Sequence, residues 1–162
     1  MSSVSDSTKS ATNEPIVHKL RIFFDADALI AGSAPQSKKS ASFILLQLSE
    51  LTLIEGVYSS YVQEQAERNL KAKIPDALKT FEGILSTALT KVSDATRHNL
   101  EAFEKQAHKT DVPVLAAAVL SKSHYLVTFN VKHFPKASEQ IRVVQPGHLL
   151  RLLRENLAKL PL

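Results

Sequence analysis

Short apolar segments of strand length alternate along this sequence with longer segments whose apolar residues recur at helical spacing. Residues 21–24, 53–58, 125–129 and 141–144 have the length and the apolar content of strands. Strands that alternate with helices in this way form parallel sheets, because each return of the chain needs a crossover connection. The sequence therefore predicts an α/β fold, with a parallel sheet covered by helices on both faces.

The predicted helices begin at residues that suit a helix N-terminus. Ser59 or Ser60 can cap the helix after the second strand, and Gln63 stands in the capping-box position relative to Ser60. Proline is tolerated in a first turn, so Pro75 is expected to open a further helix. Helices are predicted over 40–51, from 60, from 75, over about 95–108, from about 110 and from about 146.

Length and composition bound the domain organisation. The 162 residues suffice for one domain with a buried core. Residues 1–17 are rich in Ser, Thr and Asn, so we expect a disordered tail followed by a single domain over 18–162. No apolar run approaches the ~18 residues of a membrane span, and no secretory signal is visible, so we expect no membrane association and a cytoplasmic location.

Charge and cysteine usage narrow the chemistry. The formal net charge of +4 favours contact with polyanions such as nucleic acids, although many basic proteins bind none. The sequence has no cysteine, which excludes disulfides, zinc-binding cysteines and a cysteine nucleophile.

Acidic and amide residues occur where an α/β sheet would gather them at one edge. Asp25 and Asp27 directly follow the first strand, and Glu64 lies one turn into the helix after the second. Asp111 starts the helix before the third strand, and Asn130 follows that strand. Gathered carboxylates repel one another, and a divalent cation offsets this repulsion. Oxygen ligands without cysteine or paired histidine favour Mg²⁺ or Mn²⁺ over Zn²⁺.

Four segments of the sequence form a set: FDADALIAG, SSYVQEQAERNL, DVPVLAAAV and LVTFNVKHFP. In this order and spacing they resemble the PIN domain, particularly bacterial VapC-type toxins and their relatives, and the resemblance covers about residues 21–144. It implies a three-layer α/β/α fold with a central parallel sheet of about four to five strands. It also implies a metal-dependent endoribonuclease that acts on RNA. Such an enzyme can be the toxin of a type II toxin–antitoxin pair, with an antitoxin protein as its partner, and can form a homodimer.

The resemblance also implies which residues act. The acidic positions of the family correspond here to Asp25, Glu64 and Asp111, which would be catalytic and would hold Mg²⁺ or Mn²⁺. The last metal position corresponds to Asn130, and Thr128 matches the threonine that usually stands two residues before it.

Three positions differ from the family pattern. Asn130 replaces the usual aspartate, and His133 stands where some members carry another aspartate. Asp27 replaces the usual asparagine or serine and adds a carboxylate beside Asp25, where it would support the ligands together with Thr128.

Each candidate residue also has a plainer interpretation. Asp25 and Asp27 also suit ordinary loop acids, Glu64 a solvated helix face, Asp111 a helix N-cap and Asn130 a turn. The basic residues form either a rim that faces phosphates or a solubilising surface: Lys38, Lys39, Arg68, Lys71, Lys73, Lys132 and Lys136.

Three other functions remain alternatives to the ribonuclease. The first is a catalytically weakened PIN fold that binds RNA or a protein as a regulatory module, which Asn130 favours. The second is a receiver-type signalling domain, which also has acids after its first strand. The third is a metal-independent ribonuclease in which His108 or His133 serves as acid and base.

Overall fold

The structure, a computed structural model, describes residues 19–35, 39–135 and 140–161. The predicted tail over residues 1–17 lies outside the described residues, as do Lys38 and Lys136. None of the helices in the described part of the chain is long and apolar enough to cross a membrane.

The described residues form a central sheet of five strands, all parallel to their neighbours. This sheet, flanked by helices, confirms the predicted α/β fold. Where a strand was predicted, the observed ends differ by at most two residues. The strands are β1 (Arg21–Phe24), β2 (Glu55–Ser59), β3 (Leu89–Val92), β4 (Tyr125–Val127) and β5 (Arg142–Val144).

Seven α-helices occur in the described residues, together with three short 3₁₀ helices. The α-helices are α1 (Ala26–Ser33), α2 (Ala41–Glu50), α3 (Ser60–Lys73), α4 (Leu78–Ala88), α5 (Arg97–Glu101), α6 (Val112–Leu120) and α7 (Pro146–Ala158). The 3₁₀ helices are Pro75–Ala77, Lys109–Asp111 and Val131–His133.

Local sequence explains where several helices begin. The Ser40 hydroxyl accepts a hydrogen bond from the Phe43 amide, 3.1 Å away, and so caps α2. Ser59 caps α3 through the Val62 amide at 3.5 Å. Of the two serines considered for this cap, Ser59 therefore serves, and the capping box based on Ser60 does not form.

One α-helix and one strand were not predicted, and one predicted helix was too long. Helix α1 begins directly at the end of β1, where the sequence suggested a loop. Strand β3 was not predicted because it is a largely exposed edge strand in which apolar and polar residues are mixed. The helix predicted over 95–108 ends at Glu101, since the chain continues in i to i+3 turns that still bury Phe103.

The core lies on both faces of the central strands. Ile22, Phe23 and Phe24 of β1 are fully buried, as are Leu126 and Val127 of β4. A strand buried on both faces has a continuous apolar sequence in place of an alternating one, because neither face meets solvent. This explains the unbroken apolar run of β1.

The strand order places a crevice between β1 and β4. The order is β3-β2-β1-β4-β5, so the chain proceeds outward from β1 in one direction and then returns to the other side of β1. In open parallel sheets, ligands bind at the carboxyl ends of the strands where the order reverses. This order also excludes the receiver-type domain, in which the strand order is 2-1-3-4-5.

We expect Gly56→Ala to destabilise the fold by about 1–3 kcal/mol, the usual effect of overfilling a packed core. A Cβ at Gly56 would clash with the Leu89 side chain and would lie 2.7 Å from the Ser49 hydroxyl oxygen. That hydroxyl accepts from the Gly56 amide and donates to the Ala88 carbonyl, so it has no freedom to move away. Urea unfolding measures the change.

The matched control is Gly83→Ala. Gly83 lies inside α4, and an added Cβ there would meet no atom within 4 Å. Alanine should therefore stabilise the protein by about 0.5–1 kcal/mol through helix propensity. Equal changes in the free energy of unfolding for Gly56→Ala and Gly83→Ala would contradict the close packing of β2 and β3 at Gly56.

Candidate metal centre

Asp25 is held rigidly at the junction of β1 and α1. It is the N-cap of α1, and its Oδ1 accepts a hydrogen bond from the Ala26 amide at 2.7 Å. Its Oδ2 accepts from the Thr128 hydroxyl at 2.9 Å. Only 6% of the residue is exposed. Both oxygens therefore have fixed directions, as a metal ligand requires.

Asp27 lies beside Asp25 in the first turn of α1 and contacts the segment that follows β4. Its Oδ2 accepts from the Phe129 amide at 3.0 Å and from the Asn130 side-chain amide at 3.2 Å. The Thr128 hydroxyl lies 3.2 Å from the same oxygen and also contacts Asp25. A hydroxyl has one proton, so Thr128 donates to one of the two aspartates at a time.

The electrostatics of these two aspartates favour a bound cation. Burial, the neighbouring charge of Asp27 and, more weakly, that of Asp111 together raise the pKa of Asp25 from 3.8 to about 7, against the hydrogen bonds that lower it. Burial also raises the pKa of Asp27. Within the described residues, neither aspartate forms an ion pair. Buried carboxylates that repel one another and offer oxygen ligands fit a hard divalent cation.

Asp111 completes the acidic group from a distant part of the chain. It ends the 3₁₀ helix Lys109–Asp111 and lines the same cleft as Asp25 and Asp27. It occupies the N-cap position of α6, but its side chain makes no capping hydrogen bond. Its Oδ2 lies 3.0 Å from His133 Nδ1 instead. The structure thus brings together three of the predicted acids.

The cleft above these acids has a volume of about 460 Å³. Asn130 lines it together with Asp27, and another part of the wall is formed by Gln65, Asn69 and Lys73 of α3. The last three residues are four positions apart, so they share one face of the helix. Of these, only Lys73 was singled out from the sequence. The spacing of four residues between 65, 69 and 73 is the sequence signal that could have identified this helix face, because Lys73 shares it with the other two.

Glu64 is not brought to the cleft. It is exposed, whereas the adjacent Gln65 lines the cleft wall. Successive residues of a helix point in directions about 100° apart, so a shift of one position decides which side chain faces the acids. The role of Glu64 as a catalytic metal ligand stays a prediction. The exposed Lys39, Arg68 and Lys132 do not line the cleft either.

We expect Asn130→Asp to lower the stability of the metal-free protein, because it replaces the hydrogen bond to Asp27 with a repulsion between carboxylates. The same carboxylate should tighten Mn²⁺ binding if Asn130 occupies a depleted metal position. Thermal unfolding without metal and calorimetric titration with Mn²⁺ measure the two effects. Unchanged or weaker Mn²⁺ binding would show that the amide is needed as a donor.

An all-parallel sheet of this order, with acids gathered where the order reverses, defines a PIN-like α/β fold. Solved structures with similar folds include a chain in the crystal structure of VapBC2 from Rickettsia felis bound to a DNA fragment from its promoter. That chain has 14% sequence identity and a TM-score of 0.54, and the match covers 76% of this chain and 97% of that one. PAE2754 from Pyrobaculum aerophilum has 16% identity, a TM-score of 0.57 and coverage of 83% and 90%.

The resemblance to PIN domains inferred from the sequence motifs is thereby confirmed at the level of the fold. No protein-family model matches the sequence, and no curated protein matches it significantly. A shared fold does not establish a shared activity, because activity depends on the residues of the site.

Proposed function

We propose that this protein is a metal-dependent endoribonuclease of the PIN type. The observation that carries this proposal is the pair of buried aspartates, Asp25 and Asp27, which share the Thr128 hydroxyl and have raised pKa values without a cationic partner in the described residues. Ionising such a pair is costly unless a cation is bound. Selection for stability alone would favour neutral residues here, so the arrangement points to a function.

Asp25, Asp27 and Asp111 would hold Mg²⁺ or Mn²⁺ directly or through water. The bound ion would lower the pKa of a water molecule and polarise the scissile phosphate. Thr128 and Asn130 keep the two carboxylates of α1 in place through the hydrogen bonds described above.

The α3 wall of the cleft suits a phosphodiester substrate. Lys73 supplies a positive charge to the cleft that the acids also line, and Gln65 and Asn69 supply amide donors along the same helix face. Lysine and amide groups are common contacts to phosphate oxygens, which position a nucleic acid without reading its sequence. RNA is therefore proposed to lie along α3, with one phosphate over the aspartates.

The biological setting proposed for this activity is that of a toxin in a type II toxin–antitoxin pair. The fold likeness to a chain of VapBC2 supports this setting. An antitoxin protein as partner, a homodimer and a cytoplasmic location belong to the same proposal.

A second candidate function is an RNA- or protein-binding module with weakened catalysis. Two observations favour it: Asn130 replaces a carboxylate at the last metal position, and Glu64 lies outside the cleft. With fewer charged ligands, the cleft would hold its cation less tightly.

Incubation of an RNA panel with the purified protein in Mn²⁺, in Mg²⁺ and in EDTA separates these functions. The nuclease predicts cleavage with either metal and none in EDTA. The binding module predicts retarded RNA in a gel without cleavage under any condition. Cleavage that persists in EDTA would support the alternative based on His108 or His133 and contradict the metal-dependent mechanism.

A further inference from the structure

Two histidines, His108 and His133, lie next to Asp111, and neither of them lines the acid cleft. His133 Nδ1 is 3.0 Å from Asp111 Oδ2. The His108 ring stacks on the His133 ring, with centroids 4.3 Å apart and planes inclined by 14°. One potential ligand atom from each of the three residues lies within 4.8 Å of the other two.

The backbone holds these three residues together. The His108 amide donates to the His133 carbonyl at 2.9 Å, and the Asp111 amide donates to the His108 carbonyl at 2.8 Å. The His133 amide in turn donates to the Asn130 carbonyl at 2.9 Å. Two short 3₁₀ helices from separate parts of the chain are thus tied at this point, which keeps the three residues near one another. The exposed His108 ring, stacked on His133, would have to turn about its side-chain torsions to aim a nitrogen at an ion shared with the other two.

We propose that His108, Asp111 and His133 form a second cation site, which takes a first-row transition-metal ion such as Zn²⁺ or Co²⁺. Two imidazoles and one carboxylate are a ligand set that these ions prefer, and three protein ligands leave a position open for water. Mg²⁺ prefers oxygen ligands, so it would select the aspartate cleft instead.

This site differs from the acid cleft in its nitrogen ligands and in two of its three residues, His108 and His133. Asp111 has two carboxylate oxygens, and it both lines the cleft and contacts His133, so it links the two sites. Metal binding at the histidines needs no RNA and no nuclease activity. The inference therefore stands independently of the proposed function.

Titration of the full-length, tag-free protein with Co²⁺, after removal of metals by EDTA and dialysis, tests the proposal. The visible d–d absorption of bound Co²⁺ reports the nitrogen-containing site, and we expect one Co²⁺ that excess Mg²⁺ does not displace. His108→Gln and His133→Gln should each weaken binding at least about tenfold, since the loss of even an outer-shell partner costs that much.

The matched control is His98→Gln, which changes an exposed histidine on α5 and should leave Co²⁺ binding unchanged. Asp25→Asn should also retain the Co²⁺ spectrum, which separates this site from the acid cleft. Circular dichroism verifies that each variant is folded. Because His108 is exposed, its substitution should not disturb the fold, so His108→Gln still tests the site if His133→Gln fails to fold. Wild-type Co²⁺ affinity in His108→Gln, or the absence of Co²⁺ binding by the wild type, would overturn the proposal.

Discussion

Asp25→Asn is expected to reduce metal-dependent RNA cleavage at least about a hundredfold while the protein stays folded. The variant removes the most buried carboxylate of the proposed metal centre, and the loss of an outer-shell partner alone already costs 10–100-fold in affinity or activity. Initial cleavage rates across a range of Mn²⁺ concentrations measure the effect.

The geometry explains why the fold should tolerate this change. Asparagine is as good an N-cap as aspartate, and its oxygen can keep the bond from the Ala26 amide. Its amide can donate to the Thr128 hydroxyl, whose own proton is then free to bond Asp27. Every hydrogen bond of the pair is preserved, and only the charge is lost.

A surface aspartate supplies the control for this experiment. Asp76 is exposed in the 3₁₀ helix Pro75–Ala77, and Asp76→Asn should leave cleavage unchanged. Undiminished cleavage by Asp25→Asn, with metal still required, would rule out Asp25 as a ligand.

The metal-free wild type should lose stability relative to Asp25→Asn as the pH rises from about 4 to about 7. Because burial and the neighbouring charge of Asp27 raise the pKa of Asp25 from 3.8 to about 7, the folded protein binds this proton more tightly than the unfolded chain does. The contribution to stability is complete below about pH 4 and is lost as the pH rises through about 7. At about 1.4 kcal/mol per pKa unit, the upper bound is about 4 kcal/mol.

Urea unfolding of both proteins at several pH values in EDTA measures this difference. Other carboxylates titrate in both proteins, so the comparison isolates the effect of Asp25 and of groups coupled to it. Added Mn²⁺ should narrow the gap at high pH, because it binds only the folded wild type well. If the stabilities of the wild type and of Asp25→Asn changed in parallel from pH 4 to pH 8, the raised pKa of Asp25 would be contradicted.

The sequence alone predicted the fold class and the location of the acids that start the site. Apolar runs such as residues 22–24 permit burial on both faces, which a parallel sheet covered by helices provides. Asp25 directly follows β1 as the N-cap of α1, and Asp27 lies two residues further on, so the position of both at the carboxyl end of β1 is a local property of the chain. Local patterns of this kind can be recognised from neighbouring residues.

Tertiary structure decided the properties that depend on contacts between distant segments. The order of strands places β4 beside β1, across about a hundred residues of chain, and so brings Thr128 to Asp25. Rotation about the axis of α3 turns Gln65 toward the cleft and leaves Glu64 exposed. The pKa of Asp25 follows from burial by all of these elements together. None of these properties has a local signature, because each arises from how the elements pack.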